Sequence, residues 1–286
     1  MSKYITVKSN FIEMQAIKSF LGLSTLIFTF GLFSCGEDVL EDSPSTSTPT
    51  NSNSKRITHI NSEDYYNISF EYSGDKLSSY VWKYVDSGYD DYEFNQVITQ
   101  DGNKVIIKGE ADSHDYVQTY TLNEDGYAIS CTAQEIDGKT IEAAFEYSGA
   151  GYLTKAIIIE ESDYGNWSNT CTFTYSEDGD ILRVEESSLS GHIFAQEYGN
   201  TENKSKIMDY AMSQLLFDYQ AAFYYGILGK PCTHLPSSSK QKEIYESDWS
   251  HTDNFIYTLD EDGYVSKTIT ASSSGNSEIL TYTYSE

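Results

Sequence analysis

The feature that most constrains this chain is a short phrase that recurs along it: an aromatic residue, any residue, Tyr or Leu, and then a polar turn that contains Gly. Copies of the phrase begin at Phe70, Tyr120, Phe145, Phe173 and Tyr257, and a partial copy begins at Tyr282. Gly adopts positive φ without a steric penalty and Asp tolerates it, so a Gly-containing turn between alternating apolar residues is typical of a β-hairpin. The recurrence therefore predicts antiparallel strands joined by tight turns.

The spacing and polarity of the residues between the turns predict one large β-domain. The turn signals at Asp125, Asp137 and Gly149 lie 12 residues apart, which leaves room for one strand between them. Over residues 66–72 apolar and polar side chains alternate, as they do in a strand with one buried and one wet face. We predict an all-β domain over residues 55–286, with about 14–16 strands in a long antiparallel meander. This meander forms either a strongly curved sheet or a barrel, open or closed.

One segment, at about residues 205–228, departs from the strand pattern. The residues that recur there at helical spacing are Met208, Met212, Leu215, Tyr219, Ala222, Phe223 and Gly226. Gly229 is suited to end a helix, and Leu216 and Phe217 widen the apolar surface. A helix that is apolar on so many sides is expected to be buried. We therefore predict one buried helix with the sheet wrapped around it.

The first 34 residues are typical of a lipoprotein signal peptide, with Met14 as an alternative start. Residues 19–33 form an uncharged, largely apolar run of 15, whereas a helix that spans a bilayer needs roughly 20. Residues 32–35, Leu-Phe-Ser-Cys, resemble the bacterial lipobox, although Phe33 replaces its usual small residue. Cys35 is therefore the predicted site of lipid attachment. An ordinary secretory signal with an incidental Cys is the alternative.

Residues 35–54 are predicted to be a tether, acidic at first and then rich in Ser, Thr, Pro and Asn. The acidic part resembles the surface-export signal of certain Gram-negative lipoproteins, and a solvated linker is the alternative. Residues 1–34 carry three Lys and one Glu, so the mature net charge is −28 against −26 for the full chain. This charge argues against a nucleic-acid partner and leaves the lipid to hold the protein to the membrane. We predict an outer-membrane lipoprotein that is exposed at the cell surface.

A family resemblance rests on the hairpin phrases and on residues 225–236, Tyr-Gly-Ile-Leu-Gly-Lys-Pro-Cys-Thr-His-Leu-Pro. Over about residues 55–286 the chain resembles a family of bacterial outer-membrane lipoprotein domains of unknown function that has a porin-like fold. The phrases are also similar to the YD repeats of Rhs-type proteins, without their long Tyr-Asp arrays. The resemblance implies the fold but no activity and no catalytic residues. We do not expect a membrane pore, because Asn67, Ser69, Glu71 and Gln118 are predicted to face outward where such a barrel needs an apolar band.

The cysteines, histidines and acidic turns provide no strong candidate for a catalytic or metal-binding site. Besides Cys35 the chain has Cys131, Cys171 and Cys232, an odd number, and we expect Cys131 and Cys171 to be small core residues. Cys232 and His234 could form a nucleophile and its base, but their spacing alone is a weak signal. No two of the five histidines have the spacing of zinc ligands. No cofactor is predicted, and the acidic turns suggest at most weak calcium binding.

Tyrosine provides the main candidate for a binding surface. Tyr80, Trp82 and Tyr84 are predicted to share one strand face, where flat rings could stack on a sugar. The alternative is that these residues simply pack within the sheet. The leading functional hypothesis is a non-enzymatic surface module that binds a glycan, a lipid or an envelope protein. The alternatives are a polysaccharide hydrolase, which needs a carboxylate pair in a cleft, and a structural subunit of an envelope complex, which needs an exposed apolar patch.

Overall fold

The computed structural model describes residues 55–63, 65–84, 92–110, 116–135, 139–162, 165–188 and 191–285. These residues form sixteen strands. The strands are β1 Ile57–Ser62, β2 Tyr66–Ser73, β3 Lys76–Tyr84, β4 Tyr92–Asp101, β5 Lys104–Glu110, β6 Tyr116–Leu122, β7 Ala128–Glu135, β8 Thr140–Tyr147, β9 Leu153–Ser162, β10 Gly165–Tyr175, β11 Ile181–Glu186, β12 His192–Glu202, β13 His234–Glu243, β14 His251–Leu259, β15 Val265–Ser272 and β16 Ser277–Tyr284.

The strands form a closed antiparallel barrel in which each strand pairs with its neighbours in sequence. Closure comes from β1 and β16, which pair through Ile60 with Tyr282 and Ser62 with Leu280. A closed sheet leaves no edge strand to be covered. The predicted all-β meander of about 14–16 strands is therefore confirmed, and it is a closed barrel rather than an open sheet.

The turns that contain Gly74, Gly102, Gly126, Gly151, Gly179 and Gly263 lie at one end of the barrel, which we call the short-turn end, and they are of two kinds. Gly74 and Gly102 belong to two-residue turns. An Asp-Gly pair between strands predicts a two-residue hairpin tip, but the pairs of residues 125–126 and 262–263 do not form one. They lie in five-residue turns, in which the first side chain accepts a hydrogen bond from the fifth backbone N–H: Asn123 Oδ1 from Tyr127 at 2.8 Å, and Asp260 Oδ1 from Tyr264 at 2.9 Å. The predicted turn at residues 137–138 lies outside the described residues.

Residues 203–233, which we call the lumen segment, connect β12 to β13 from the short-turn end. They contain helix α1 (Tyr210–Leu215), a 3-10 helix (Phe217–Tyr219) and helix α2 (Gln220–Tyr225). The single helix predicted over 205–228 is thus shorter and broken. Leu216, at φ −117° and ψ 38°, ends α1, and Gly226, at φ 93°, ends α2 in place of Gly229. Apolar spacing continues across the break, so the sequence pattern does not reveal it.

Contacts with strands around the ring place this segment inside the barrel. The Tyr80 hydroxyl of β3 donates to Gln220 Oε1 at 2.8 Å, and Gln118 Nε2 of β6 donates to the Asp218 carbonyl at 3.1 Å. On the opposite part of the ring, the Tyr210 hydroxyl donates to Asp253 Oδ2 of β14 at 2.7 Å. Gln118 is therefore buried and faces inward, which corrects the prediction that it faces outward.

The outer face of the described barrel is largely polar. Asn67, Ser69 and Glu71 alternate with buried Ile68 and Phe70, as predicted. Exposed apolar strand residues on this face are Val97, Val117, Ile129, Ile159, Leu182 and Ile256. Within the described residues, no helix is long and apolar enough to cross a bilayer.

Candidate ligand-binding cleft

Tyr80, Trp82 and Tyr84 share one face of β3, but this face is the inner wall of the barrel. Tyr80 is 4% exposed, and the Trp82 ring lies 6.5 Å from the ring of Phe217 in the lumen segment. The prediction of an exposed platform is therefore wrong for Tyr80, because the aromatic face of the strand is the one that packs on the lumen segment. Ligand binding by the half-buried Trp82 and Tyr84 stays a prediction.

A cleft of about 150 Å³ lies between the lumen segment and the inner faces of β1, β2, β13, β14, β15 and β16. We call it the tyrosine cleft. The tyrosines that line it are Tyr66, Tyr210, Tyr224, Tyr257 and Tyr282. Three of them occupy inward positions on β2, β14 and β16, and two come from α1 and α2. Neither their spacing nor a local motif predicts this cluster, because β2 and β16 lie on the same part of the wall only after the barrel closes.

The tyrosine cleft contains hydrogen-bonding groups at its wall. Glu278 Oε1 accepts a hydrogen bond from Ser62 Oγ at 3.4 Å, and the Thr268 hydroxyl donates to Tyr282 Oη at 3.3 Å. The Tyr66 hydroxyl has no hydrogen-bond partner among the described residues. Burial, reinforced by the negative charge of Glu278, raises the pKa of Tyr66 well above its usual range. The Tyr66 hydroxyl therefore stays protonated at neutral pH and can donate to a ligand.

Asp209 lies at the boundary of the cleft, and its oxygens are already occupied. Oδ1 accepts from Gln196 Nε2 at 2.9 Å and from the Ala211 backbone at 3.0 Å, and Oδ2 accepts from the Tyr198 hydroxyl at 2.7 Å. Asp209 is the N-cap of α1. Burial raises the pKa of this carboxyl despite the hydrogen bonds it accepts. Its role is to hold the lumen segment against β12.

Cys232 and His234 do not form a nucleophile and base. Cys232 Sγ lies 3.6 Å from the Tyr198 hydroxyl and 3.9 Å from Asp209 Oδ2. His234 is instead held by Asp180, through Nδ1 at 2.7 Å and its backbone N–H at 2.7 Å. Burial raises the pKa of the Cys232 thiol well above its usual range, which disfavours the nucleophilic thiolate.

Cys131 and Cys171 are core residues, as predicted. They are 2% and 0% exposed, and among the described residues no disulfide links any cysteines. Burial raises the pKa of the Cys131 thiol to about 12. Both side chains face the lumen segment from the inner wall, where a small side chain fits.

A Ser, a His and an Asp meet on β14 and β15, although no motif in the sequence predicts this cluster. His251 Nε2 lies 3.2 Å from Ser272 Oγ and 3.0 Å from Asp253 Oδ1. A catalytic triad needs the serine and the carboxylate on different ring nitrogens, so that one nitrogen takes the proton while the other is held. Here both bind the same nitrogen, and the arrangement lacks the geometry of a triad.

The acidic turns present exposed carboxylates rather than a cation cage. Asp125, Asp178 and Asp262 are exposed at the short-turn end. The part of the chain that the structure describes contains no group of three or more His, Cys, Asp or Glu side chains arranged to hold a metal ion. Weak calcium binding stays a prediction.

Comparisons with known proteins agree on the family and the fold. Residues 45–267 match the family model of a domain of unknown function with porin-like fold, DUF4595. A porin-like protein from Bacteroides uniformis, of known structure, is 22% identical, with a TM-score of 0.65 over 80% of this chain and 96% of that chain. A second, from Bacteroides vulgatus, is 15% identical, with a TM-score of 0.56 over 81% of this chain and 99% of that chain.

No curated protein is similar enough to the chain to be matched. The two structures share the fold of this protein, at identities too low to carry more than the fold. The family match is broader evidence, because it spans well over half of the sequence. On that ground the chain belongs to the family of domains of unknown function with a porin-like fold.

Proposed function

We propose that this protein is a non-enzymatic glycan-binding module, held at the cell surface by a lipid on Cys35. The observation that carries the proposal is the tyrosine cleft between the lumen segment and the barrel wall. Aromatic rings there offer flat apolar faces, and hydroxyl and carboxylate groups accompany them. Sugars present the matching combination of C–H faces and hydroxyl groups.

The size of the cleft favours a sugar ring over a lipid. A cavity of about 150 Å³ holds one benzene ring, whereas pockets for larger ligands measure about 300–1,000 Å³. At about 150 Å³ the tyrosine cleft accommodates one six-membered ring. Acyl chains of a membrane lipid need considerably more room, so a lipid carrier is the weaker hypothesis.

The charge of the cleft favours an uncharged ligand. Its carboxylates are Glu278 and the fully hydrogen-bonded Asp209, and the net charge of the chain is −26. An anionic ligand would be repelled, whereas a sugar hydroxyl can donate to Glu278 and accept from Tyr66. Because the oxygens of Asp209 are already occupied, the cleft lacks the pair of available carboxylates that glycoside hydrolysis requires.

The test uses the intact protein in detergent, with methyl glycosides of glucose, galactose, mannose and N-acetylglucosamine as probes. Binding is followed by saturation-transfer NMR and quantified by titration. Tyr66→Phe removes the unpartnered hydroxyl and should lower the affinity for the best probe about threefold to tenfold, which is the contribution of one hydrogen bond. Tyr245→Phe is the matched control, because Tyr245 is 72% exposed and lies outside the cleft.

Three results would contradict the proposal. The first is that no probe binds, and the second is that Tyr66→Phe and Tyr245→Phe behave alike. The third is the release of new reducing ends from oligosaccharides of the bound sugar, which would make the protein a hydrolase. The remaining hypothesis, a structural subunit of an envelope complex, stays a prediction.

A further inference from the structure

The hydrogen-bonded ladder between β13 and β14 covers only part of the two strands. Its pairs run from Gln241 with His251 to Ser238 with Asn254. Beyond this last pair β13 continues to His234 and β14 to Leu259 without pairing to each other. On its other side, β14 pairs with β15 as far as Leu259. The described barrel wall therefore has an unpaired stretch between β13 and β14 at the short-turn end.

A groove of about 230 Å³ occupies this stretch, and we call it the wall groove. Its lining residues are Gly199 and Thr201 of β12, residues 235–237 of β13, and Phe255, Tyr257 and Leu259 of β14. Gly199, Ser237 and Leu259 are exposed, so the wall groove reaches solvent. The register of β12 on β13 is irregular between Tyr198 and Glu202, which makes room for it.

The wall groove and the tyrosine cleft share a wall one side chain thick. Leu235, Pro236, Phe255 and Tyr257 line both cavities. The Tyr257 hydroxyl donates to the Pro236 carbonyl at 2.9 Å, across the unpaired stretch. This hydrogen bond ties together the two strands that the ladder leaves apart.

We propose that the wall groove is a second subsite for the glycan, which enters the barrel between β13 and β14. The inference rests on the proposed function of the tyrosine cleft and extends it. One sugar occupies the cleft and the next sugar of the same chain occupies the wall groove, which requires the hydrogen bond between Tyr257 and Pro236 to open. The ligand is thereby an uncharged oligosaccharide rather than a free monosaccharide.

The chemistry of the wall groove fits an uncharged sugar. None of its lining residues is charged. The Thr201 hydroxyl has no hydrogen-bond partner among the described residues, and the Ser237 hydroxyl, which donates to the Glu197 carbonyl at 3.0 Å, can still accept. Leu235, Leu259 and the Tyr257 ring supply apolar surface.

The volume of the wall groove distinguishes a sugar from a peptide. An unpaired strand edge can bind an extended peptide by adding a strand. The groove, however, is only roughly one and a half times the size of a cavity that holds one benzene ring. That volume suits one sugar ring and is too small for a strand of several residues.

The test compares monosaccharide and tetrasaccharide affinities of the intact protein and two glycine variants. A Cβ added at Gly199 meets no atom within 4 Å and the backbone there has no positive φ, so Gly199→Phe adds a ring at the lining of the wall groove without backbone strain. Gly149→Phe is the matched control, because Gly149 meets the same two conditions in the turn of residues 148–152. The probes are the methyl glycosides used above and their homotetrasaccharides.

We expect the best tetrasaccharide to bind at least tenfold more tightly than its monosaccharide. Gly199→Phe should reduce this gain to less than threefold without changing monosaccharide affinity, and Gly149→Phe should retain it. Two results would refute the second subsite while leaving the proposed function intact. Either the monosaccharide binds as tightly as the tetrasaccharide, or the tetrasaccharide keeps its tighter binding in Gly199→Phe. If no sugar binds, the proposed function itself fails. Binding of the uncharged peptide Thr-Val-Thr-Val-Thr, blocked at both ends and lost in Gly199→Phe, would instead make the groove a peptide site.

Discussion

Several turn glycines at the short-turn end have a second role besides their positive φ. The fifth residue of one turn is a tyrosine whose ring crosses the next turn, as Tyr127 crosses Gly151 and Tyr152 crosses Gly179. The same rings contact tyrosines at the ends of strands: Tyr127 lies 5.1 Å from Tyr147, and Tyr152 lies 5.0 Å from Tyr175. A glycine is thus needed where the preceding tyrosine passes, so the turn of residues 123–127 constrains that of residues 148–152, which in turn constrains that of residues 176–180.

A pair of alanine variants separates the two roles of glycine. Gly126 and Gly179 have φ of 85° and 89°, so alanine at either position carries left-handed strain of about 1–2 kcal/mol. At Gly126 the new Cβ meets no atom within 4 Å, whereas at Gly179 it would overlap the Tyr152 ring. We expect Gly179→Ala to lose a further ~1–3 kcal/mol of unfolding free energy, the usual cost of overpacking. Urea denaturation measures both variants, and equal losses would show that the Tyr152 ring moves aside freely.

Inside the barrel, the position of α1 depends on one buried carboxylate. Asp209 caps the helix and bonds Gln196 and Tyr198 of β12, and the protonated thiol of Cys232 is its other neighbour. Burial raises its folded-state pKa above the unfolded value, so ionisation opposes folding. Its contribution to stability is fully present below the unfolded pKa and is lost as the pH rises through the folded pKa.

The variant Asp209→Asn tests whether ionisation of Asp209 opposes folding. Asparagine is also a good N-cap but stays neutral, so the variant avoids the loss that wild type suffers as pH rises. We expect the unfolding free energy of Asp209→Asn minus that of wild type to be larger at pH 7 than at pH 4. Urea denaturation at the two pH values measures the difference, with exposed Asp178→Asn as the control for loss of one negative charge. A relative stability that stays constant, or that falls toward pH 7, would contradict the assignment.

The elements differ in how well they can be predicted from the sequence. The strands could be identified because alternation and Gly-containing turns are local signals, repeated across residues 66–72 and their equivalents. The break at Leu216 could not be predicted, since apolar spacing continues through it. The unpaired stretch beyond the pair of Ser238 with Asn254 could not be predicted either. It accompanies an irregular register between β12 and β13, which the residues of the stretch do not reveal.

The candidate site could not be predicted for a related reason. Tyr66 and Tyr282 lie far apart in sequence, and they line one cleft only because β1 and β16 close the barrel between them. The same closure turns the aromatic face of Tyr80 inward, so a surface inferred from one strand becomes part of the interior. Alternation predicts that two faces differ, but the closed topology decides which face is accessible.

We propose that the lipid predicted at Cys35 attaches the barrel to a membrane. The described outer face is largely polar, and the net charge of −26 is repelled by anionic lipid. Acyl chains stabilise attachment by about 0.8 kcal/mol for each buried CH₂. We expect Cys35→Ala to lose label from radioactive palmitate and to move to the soluble fraction. Cys131→Ala, which changes a buried core thiol, should keep both label and membrane attachment. A Cys35→Ala protein that still carries label or stays with the membrane would show that another feature of the chain is the anchor.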